Sequence, residues 1–334
     1  MGNLNSIFLI GNGFDRNLDL KTSYIEFYEY YIDQDSENNE AIINLKKCID
    51  IDKEAWSDLE LSLGRYSENI TSQNELDDAI FDLIKHLRIY LQKIENNVDY
   101  SIFSRQKLIN DLKNPERVLS PKDQQKIKNF KQRINGNSII NTVQVQVLTF
   151  NYTEIIEKVL GTNFNNLLID KSGNTTIKLK GVEHIHGYVN ERLILGVNDS
   201  NQITNETFRE SEDCIELLAK PTHNQGLGHL RDDYCLRQIA NASIIYVFGS
   251  SIGETDKLWW EAVGKRLGSQ CCLVIYYLAE YFDPNEMIRE ARRGRKIIES
   301  FLSLTTLNEK QKAAAKEFIY VSTTKDLFKL VEDT

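Results

Sequence analysis

Short apolar runs alternate with amphipathic stretches along most of the chain. Five runs of apolar and β-branched residues predict buried strands, at 6–10, 143–150, 243–248, 271–278 and 318–321. Apolar residues at helical spacing predict helices, at about 152–160, 254–267, 284–302 and 323–332. Because strands that alternate with helices form parallel sheets covered on both faces, the pattern predicts an α/β fold with a doubly wound, mostly parallel, Rossmann-like sheet.

Weaker extended stretches lie between the second and third of these strands. The stretches 167–169, 177–179 and 182–185 are predicted to be short strands. Residues 193–197 are predicted to form another, which closes a hairpin-like excursion. Residues 198–229 are polar and rich in loop-forming residues, which is typical of a lid or a disordered loop.

The long stretch after the first strand carries helical spacing without a strand signal. Trp56 and Leu59 belong to one such pattern, and the other faces of these predicted helices are polar. We therefore predict a helical insertion at 23–139, within a Rossmann-like nucleotide-binding domain made of residues 1–22 and 140–334.

The balance of charge narrows the classes of partner. Lys and Arg number 40 against 49 Asp and Glu, which gives a formal net charge of −9 over 334 residues. A broad nucleic-acid surface needs clustered cations that displace counterions from phosphates, so nucleic acid is not an expected partner. The basic cluster at 289–296 fits the solvated face of a late helix.

The sequence carries no signal for export or for a membrane. No apolar run approaches the roughly 18 residues that a spanning helix requires. No basic stretch precedes the first strand and no small-residue cleavage site follows it. The five cysteines include no C-x-x-C pair, as is usual for reduced thiols. We expect a cytoplasmic protein that does not contact a membrane.

Three predicted strand ends carry small or polar residues. Gly11-Asn12-Gly13 follows the first strand, Thr-Phe-Asn-Tyr-Thr at 149–153 follows the second, and Gly-Ser-Ser at 249–251 follows a later one. Ligands of open α/β sheets bind beyond the carboxyl ends of the strands. If the three strands are parallel neighbours, the three turns line one crevice.

Gly11 and Gly13 permit a tight turn and the close approach of a pyrophosphate to backbone N–H groups. A lone G-x-G also fits a strand–helix turn that binds nothing. The third glycine of the dinucleotide fingerprint is absent, since Asn17 and Leu18 occupy its region. The glycines alone therefore leave both interpretations open.

Several polar residues near these turns are candidates for chemistry. Asn151 is placed either to cap the following helix or to face the crevice. His184 and His186 lie on one side of an extended segment, either as a hydrogen-bonded pair or with one as a general base. A third ligand at metal-binding spacing is missing, so no metal is expected. Asp256 could bind ribose or phosphate, and Glu60 lies either at the crevice or on the surface.

These motifs together resemble a known family. The sequence reads GNGFD at 11–15, LKTSY at 20–24, WSDLE at 56–60, TFNYT at 149–153, HIHG at 184–187 and FGSSIGETDKLWW at 248–260. In this order they resemble the AbiH family of bacterial phage-abortive-infection proteins. That family is similar in fold to the sirtuins and to the sirtuin-like NAD hydrolases of antiphage defence.

The resemblance implies roles for particular residues. Gly11 and Gly13 match the sirtuin-type glycine turn, Asn151 the asparagine that holds the nicotinamide ribose, and His186 the histidine beside the reactive ribose. The segment 249–251 matches the one that holds the adenosine half. The residues expected to bind the dinucleotide are Gly11, Asn12, Gly13, Phe14, Asp15, Thr22, Ser23, Tyr24, Thr149, His184, Gly249, Ser250, Ser251 and Asp256.

The sequence departs from the pattern in three ways. Thr153 stands where an acidic residue often follows the sirtuin asparagine, and Asp19 stands where the AbiH stretch usually has glycine. The four-cysteine zinc site of sirtuin deacetylases is missing. Because the zinc site is missing, deacetylation is not the expected reaction. The resemblance still implies NAD as the substrate, and no metal cofactor is expected.

The expected activity is hydrolysis of the nicotinamide–ribose bond of NAD, with Asn151 and His186 as catalytic residues. Transfer of ADP-ribose to a macromolecule is a close variant. A nucleotide sensor without chemistry is an alternative, as is a nuclease toxin that uses His184, His186 and either Glu60 or Asp256. A phage-derived trigger, a partner protein and a second copy of the chain are all compatible partners.

Overall fold

A computed structural model describes residues 2–136, 140–226, 230–278, 287–324 and 326–331. Within these residues the chain forms a seven-stranded sheet. Its strands are β1 (Gly2–Ile10), β2 (Ile140–Thr149), β3 (Leu167–Ser172), β4 (Thr175–His184), β5 (Ile244–Phe248), β6 (Cys272–Tyr277) and β7 (Ile319–Thr323).

The sheet has the order β3-β4-β2-β1-β5-β6-β7. All neighbouring strands are parallel except β3, which pairs with β4 in an antiparallel manner at one edge. The prediction of a mostly parallel sheet is confirmed. The two short strands expected at 177–179 and 182–185 are a single strand, β4, whose register shifts opposite Val145 to Val147.

Fifteen α-helices surround the sheet in the described part of the chain. They are α1 (Gly13–Asn17), α2 (Tyr24–Tyr31), α3 (Glu40–Ile51), α4 (Leu59–Tyr66), α5 (Gln73–Asn97), α6 (Arg105–Lys113), α7 (Pro121–Ile134), α8 (Ile155–Leu160), α9 (Glu206–Glu210), α10 (Glu212–Leu218), α11 (Lys220–Gly226), α12 (Arg231–Ala240), α13 (Lys257–Arg266), α14 (Met287–Ser303) and α15 (Glu309–Ala315).

Helices cover both faces of the sheet, because successive side chains of each strand point to opposite sides. Phe8 of β1 belongs to the core that includes α6 and α7. Ile7 and Leu9 of the same strand belong to the core on the other face, with Ile239 of α12 and Trp260 of α13. The sheet is therefore enclosed by apolar layers on both faces.

The helices between β1 and β2 divide between two cores. Residues of α6 and α7 pack under the sheet, whereas α2 to α5 form a separate core with the segment 189–219. This second core holds Phe27 of α2 and Leu83 of α5 against Val189 and Leu195. Helices are confirmed throughout this region, and the boundaries given above for the insertion remain a prediction.

Two predictions between β4 and β5 are wrong. Residues 193–197 form no strand, since Leu193 and Val197 make only isolated bridges, to Gly187 and Ala219. The segment 198–229 is not a long loop, because its described residues include α9, α10 and α11. Asn205 and Ser211 cap α9 and α10 by accepting hydrogen bonds from Phe208 N and Cys214 N. Residues 227–229 lie outside the described part.

The helix predicted at 323–332 is also wrong over the described residues. Thr323 ends β7, and 326–331 contain no helix. Backbone groups here bond to distant partners: Phe328 N donates to Asp111 Oδ2 at 2.7 Å, and Leu330 O accepts from Ser104 N at 2.9 Å. These long-range bonds fix the segment in an irregular path against the core.

Within the described residues, none of the helices has the length and apolar content to cross a membrane.

Candidate active site

The turns after β1 and β5 pack directly against each other. Gly11 N donates to Phe248 O at 2.9 Å, and Gly13 N donates to Gly249 O at 2.8 Å. A Cβ atom on Gly13 would lie 2.4 Å from Gly249 Cα, and Gly249 itself has a φ of 68°. Glycine is thus required by the contact between the turns. The two amides expected to face a pyrophosphate are instead hydrogen-bonded to β5 and its turn.

A cavity of about 580 Å³ opens beside these turns. It lies at the carboxyl ends of β1, β5 and β6. Ten of the residues predicted to bind or act on the ligand line it: Gly11, Asn12, Gly13, Ser23, Tyr24, His186, Gly249, Ser250, Ser251 and Asp256. Further lining residues include Arg16, Asp58, Glu60, Phe150, Tyr152, Thr255, Tyr276 and Tyr277. The turns after β1, β2 and β5 therefore meet at one place.

A smaller pocket of about 80 Å³ adjoins the cavity. The two share four lining residues, Asn12, Tyr24, Phe150 and Tyr152. Asp15, Thr22, Asn151 and Thr153 line only the smaller one. Asn151 and Asp15 therefore line the adjoining pocket and not the cavity that His186 lines.

Three of the predicted binding residues line neither space. Phe14 is fully buried in the core beneath the sheet. Thr149 bridges two backbone segments, since its hydroxyl donates to Ile10 O at 3.1 Å and accepts from Asn151 N at 3.1 Å. The ring nitrogens of His184 lie 2.7 Å from Asn151 O and 2.7 Å from Glu157 Oε1. Thr149 and His184 therefore support the turn that carries Asn151.

Asp15 joins the turn after β1 to the turn after β2. Asn151 Nδ2 donates to Asp15 Oδ1 at 3.0 Å, and Thr153 Oγ1 donates to Asp15 Oδ2 at 2.5 Å. Burial raises the pKa of Asp15 to about 7, although both hydrogen bonds oppose the shift. Asn151 Oδ1 is buried and has no hydrogen-bond partner among the described residues. This pocket therefore contains a carboxyl with a raised pKa beside an amide oxygen that has no partner among the described residues.

His186 forms a pair with Asp256. His186 Nε2 lies 2.8 Å from Asp256 Oδ1, and the imidazole is only 4% exposed. A carboxylate accepts hydrogen bonds, so the neutral ring carries its proton on Nε2 and its lone pair on Nδ1. Nδ1 is buried without a partner in the described part of the chain. Burial and the Lys220 charge lower the pKa of His186 despite the opposing effect of Asp256.

Lys220, at the first position of α11, completes the charged part of the site. Its ammonium lies 2.7 Å from Glu60 Oε2 and 2.9 Å from Asp256 Oδ1. Burial lowers the pKa of Lys220, but the two carboxylates outweigh this and raise it. Burial raises the pKa of Asp256, but Lys220 and His186 outweigh this and lower it. Burial raises the pKa of Glu60 to about 7 against the attraction of Lys220.

The sequence left open whether Glu60 lies at the crevice or on the surface, and the structure places it in the lining of the cavity. Lys220 was not among the predicted residues. The signal for Lys220 was a single cation after the apolar run 217–219. Tyr152 was treated only as part of a turn, yet its hydroxyl donates to Ile194 O at 2.9 Å and lies 3.3 Å from Glu60 Oε1. Among the described residues, no group of three or more His, Cys, Asp or Glu side chains is arranged to hold a metal ion.

The sheet and the polar cavity define an α/β protein with a candidate ligand-binding or catalytic site at its strand ends. The chain belongs to the family described as bacteriophage abortive infection AbiH, whose profile matches residues 7–277. The match includes every residue that lines the cavity except Leu278. The family places the chain in abortive-infection defence against bacteriophages. Comparison with curated proteins gave no match.

Proposed function

We propose that this protein is an abortive-infection effector that binds NAD in the 580 Å³ cavity and hydrolyses the bond between nicotinamide and ribose. The observation that carries the proposal is the neutral His186, which lines this cavity with its Nε2 held by Asp256 and its Nδ1 without a partner. A buried polar atom without a partner in an otherwise satisfied site is best explained by a ligand or a water molecule.

The order of the strands supports a dinucleotide as the ligand. The six parallel strands, counted along the chain, lie in the order 3-2-1-4-5-6, the order of the Rossmann dinucleotide-binding fold. In such sheets the ligand binds where the strand order reverses, which here is between β1 and β5. The cavity lies at this point, and its volume falls within the range of about 300–1,000 Å³ that is usual for ligand sites.

The proposed reaction needs one base. The oxygen of water forms a bond to C1′ of the ribose while the bond from C1′ to the nicotinamide nitrogen breaks. The electron pair of that bond moves to nicotinamide, which changes from a cationic ring into a neutral leaving group and needs no general acid. His186 Nδ1 accepts the proton that the water loses. The transition state resembles the oxocarbenium ion of glycoside hydrolysis.

The smaller pocket suits the nicotinamide end of the substrate. Asn151 Oδ1 can accept a hydrogen bond from the carboxamide or from a ribose hydroxyl, and it is buried without another partner in the described structure. Asp15, with its pKa of about 7, can donate or accept near neutral pH. Asn151 thus acts in this proposal by holding the substrate, and His186 acts on the water.

The test is to incubate purified protein with NAD and to measure nicotinamide and ADP-ribose by chromatography, with and without phage extract as a trigger. The His186→Ala variant is expected to lose about 10²–10⁴-fold in rate, as for removal of a general base. The matched control is His223→Ala, since His223 bonds Glu216 O and does not line the cavity. Circular dichroism checks that both variants are folded.

The alternatives give different results in the same assay. Undiminished turnover by a folded His186→Ala variant would contradict the proposed mechanism. Label from NAD on protein or nucleic acid, in place of free ADP-ribose, would indicate transfer. Thermal stabilisation by ADP-ribose without nicotinamide release, under both conditions, would instead indicate a nucleotide sensor.

A further inference from the structure

Two distant parts of the chain place carboxylates around the ammonium of a third part. Glu60 comes from α4, Lys220 from the start of α11, and Asp256 from the turn before α13. Glu60 and Lys220 are 7% and 4% exposed, so their charges are shielded from water. We propose that Lys220 is a positioning residue that lets Asp256 orient His186 without protonating it, an inference that rests on the proposed function.

In a buried His–Asp pair, the carboxylate has two opposing effects on the ring. The carboxylate fixes the tautomer, but its negative charge also favours the imidazolium ion, which cannot accept a proton from water. In this site Lys220 Nζ and His186 Nε2 contact the same oxygen, Asp256 Oδ1, at 2.9 and 2.8 Å. The ammonium offsets the charge of that oxygen while the hydrogen bond to the ring remains. His186 thereby keeps a free lone pair on Nδ1.

The other groups near His186 make this offset necessary. Asp58 and Glu60 line the large cavity with His186. Asp232 of α12 lines a narrow space on the other side, together with His186 and Lys220. All three are acidic, and each favours a protonated ring when it is charged. The phenols of Tyr24 and Tyr152 also line the cavity, but burial raises the pKa of each, so they add no charge.

Cations near the ring are fewer. Of the described residues that line these two spaces, Arg16 and Lys220 are the ones that carry a positive charge. Arg16 is exposed to solvent, which screens its charge, whereas Lys220 is buried and bonded to the partner of His186. The charge balance at the imidazole is therefore set mainly by Lys220.

The experiment compares Lys220→Met with Lys220→Arg, which keeps the charge. The pKa of His186 is measured by NMR titration of the imidazole Cε1 proton, assigned through its absence in His186→Gln. Lys220→Met is expected to raise the pKa of His186 and to move the acidic limb of the NAD turnover profile to higher pH, with activity recovering in alkali. Lys220→Arg is expected to resemble the parent. An unchanged pKa of His186 in folded Lys220→Met would overturn the proposal.

If Lys220 had only a structural role, Lys220→Met would lower turnover equally at all pH values. That result would also overturn the proposal. If Lys220→Met does not fold, the Glu60→Gln/Lys220→Met double variant removes the unpaired charge of Glu60, and the pKa of His186 is expected to be higher in it than in the Glu60→Gln variant. The NMR titration does not depend on turnover. Absence of NAD hydrolysis would therefore reject the proposed function, while the effect of Lys220 on His186 would still be measured.

Discussion

Thr153 Oγ1 donates a hydrogen bond of 2.5 Å to Asp15 Oδ2, although the two residues are 138 positions apart in the sequence. Asn151 Nδ2 donates to the other oxygen of the same carboxyl at 3.0 Å. Thr153 departs from the pattern that the resemblance implies, in which this position is often acidic. Asp15 of α1 places a carboxyl beside Thr153, so the two motifs form one unit in space.

Asp15→Asn is expected to remove a pH dependence of stability. The folded pKa of about 7 exceeds the ordinary value of 3.8, so the contribution of Asp15 to stability is fully present below the lower value and is lost as pH rises through 7. The melting temperature of the parent relative to the variant is therefore expected to fall between about pH 5 and pH 8. Calorimetry at both pH values measures this difference. The same change at exposed Asp19 is the control, and an equal fall there would contradict the assignment.

Asn151→Ala is expected to reduce NAD turnover by more than about tenfold, because it removes the unpartnered acceptor as well as one donor to Asp15. Thr153→Val removes only the other donor to Asp15 and is expected to keep most activity. Nicotinamide release by the two folded variants is compared. Equal losses would mean that Asn151 acts only by holding Asp15.

The local chemistry of the strand ends was predictable from the sequence. Glycine, asparagine and serine directly after an apolar run indicate a turn, and parallel strands bring such turns to one edge. The pattern did not reveal which polar groups face the cavity and which face the protein. Threonine and histidine often bind ligands, so Thr149 and His184 were reasonable candidates. In the structure they instead form hydrogen bonds within the protein, Thr149 to Ile10 O and His184 to Glu157.

Gly249→Ala is expected to destabilise the protein by about 2–4 kcal/mol. The left-handed backbone disfavours any Cβ at this position, and the added atom would also clash with its neighbours. The Cβ would lie 2.7 Å from Phe14 N. Gly161 is a matched control, because its φ is also positive, at 75°, while no atom lies within 4 Å of its Cβ position. Gly161→Ala is expected to cost about 1–2 kcal/mol. Urea denaturation measures both, and equal losses would argue against the turn–turn contact.

Tyr152→Phe is expected to lower the free energy of unfolding by about 1–3 kcal/mol, because it leaves the buried Ile194 O without its donor. The control is Tyr100→Phe. The hydroxyl of Tyr100 donates to Glu95 O over a longer distance of 3.3 Å, and this bond is partly exposed. That variant is expected to lose at most about 0.5–1.5 kcal/mol. Denaturant unfolding curves distinguish the two, and a loss at Tyr152 no larger than at Tyr100 would contradict the role of the buried bond.

The errors in secondary structure also have physical causes. Residues 193–197 have the composition of a strand, but Val197 pairs with the backbone beside Ala219 and not with a neighbouring strand. The helices α9 and α10 were missed because they are short, and their signal lies in the capping residues Asn205 and Ser211. Lys220 was missed for a related reason: nothing in a sequence marks a lysine as buried until its carboxylate partners, more than 30 residues away on either side, are in place.

The central position of β1 bears on how the protein is made. This first strand pairs with Ile140–Thr149 on one side and with Ile244–Phe248 on the other. A ribosome must therefore translate most of the gene before the sheet can close, and His186 has no partner until Asp256 has emerged. A growing or prematurely terminated polypeptide thus lacks the complete site and is expected to have no activity of its own.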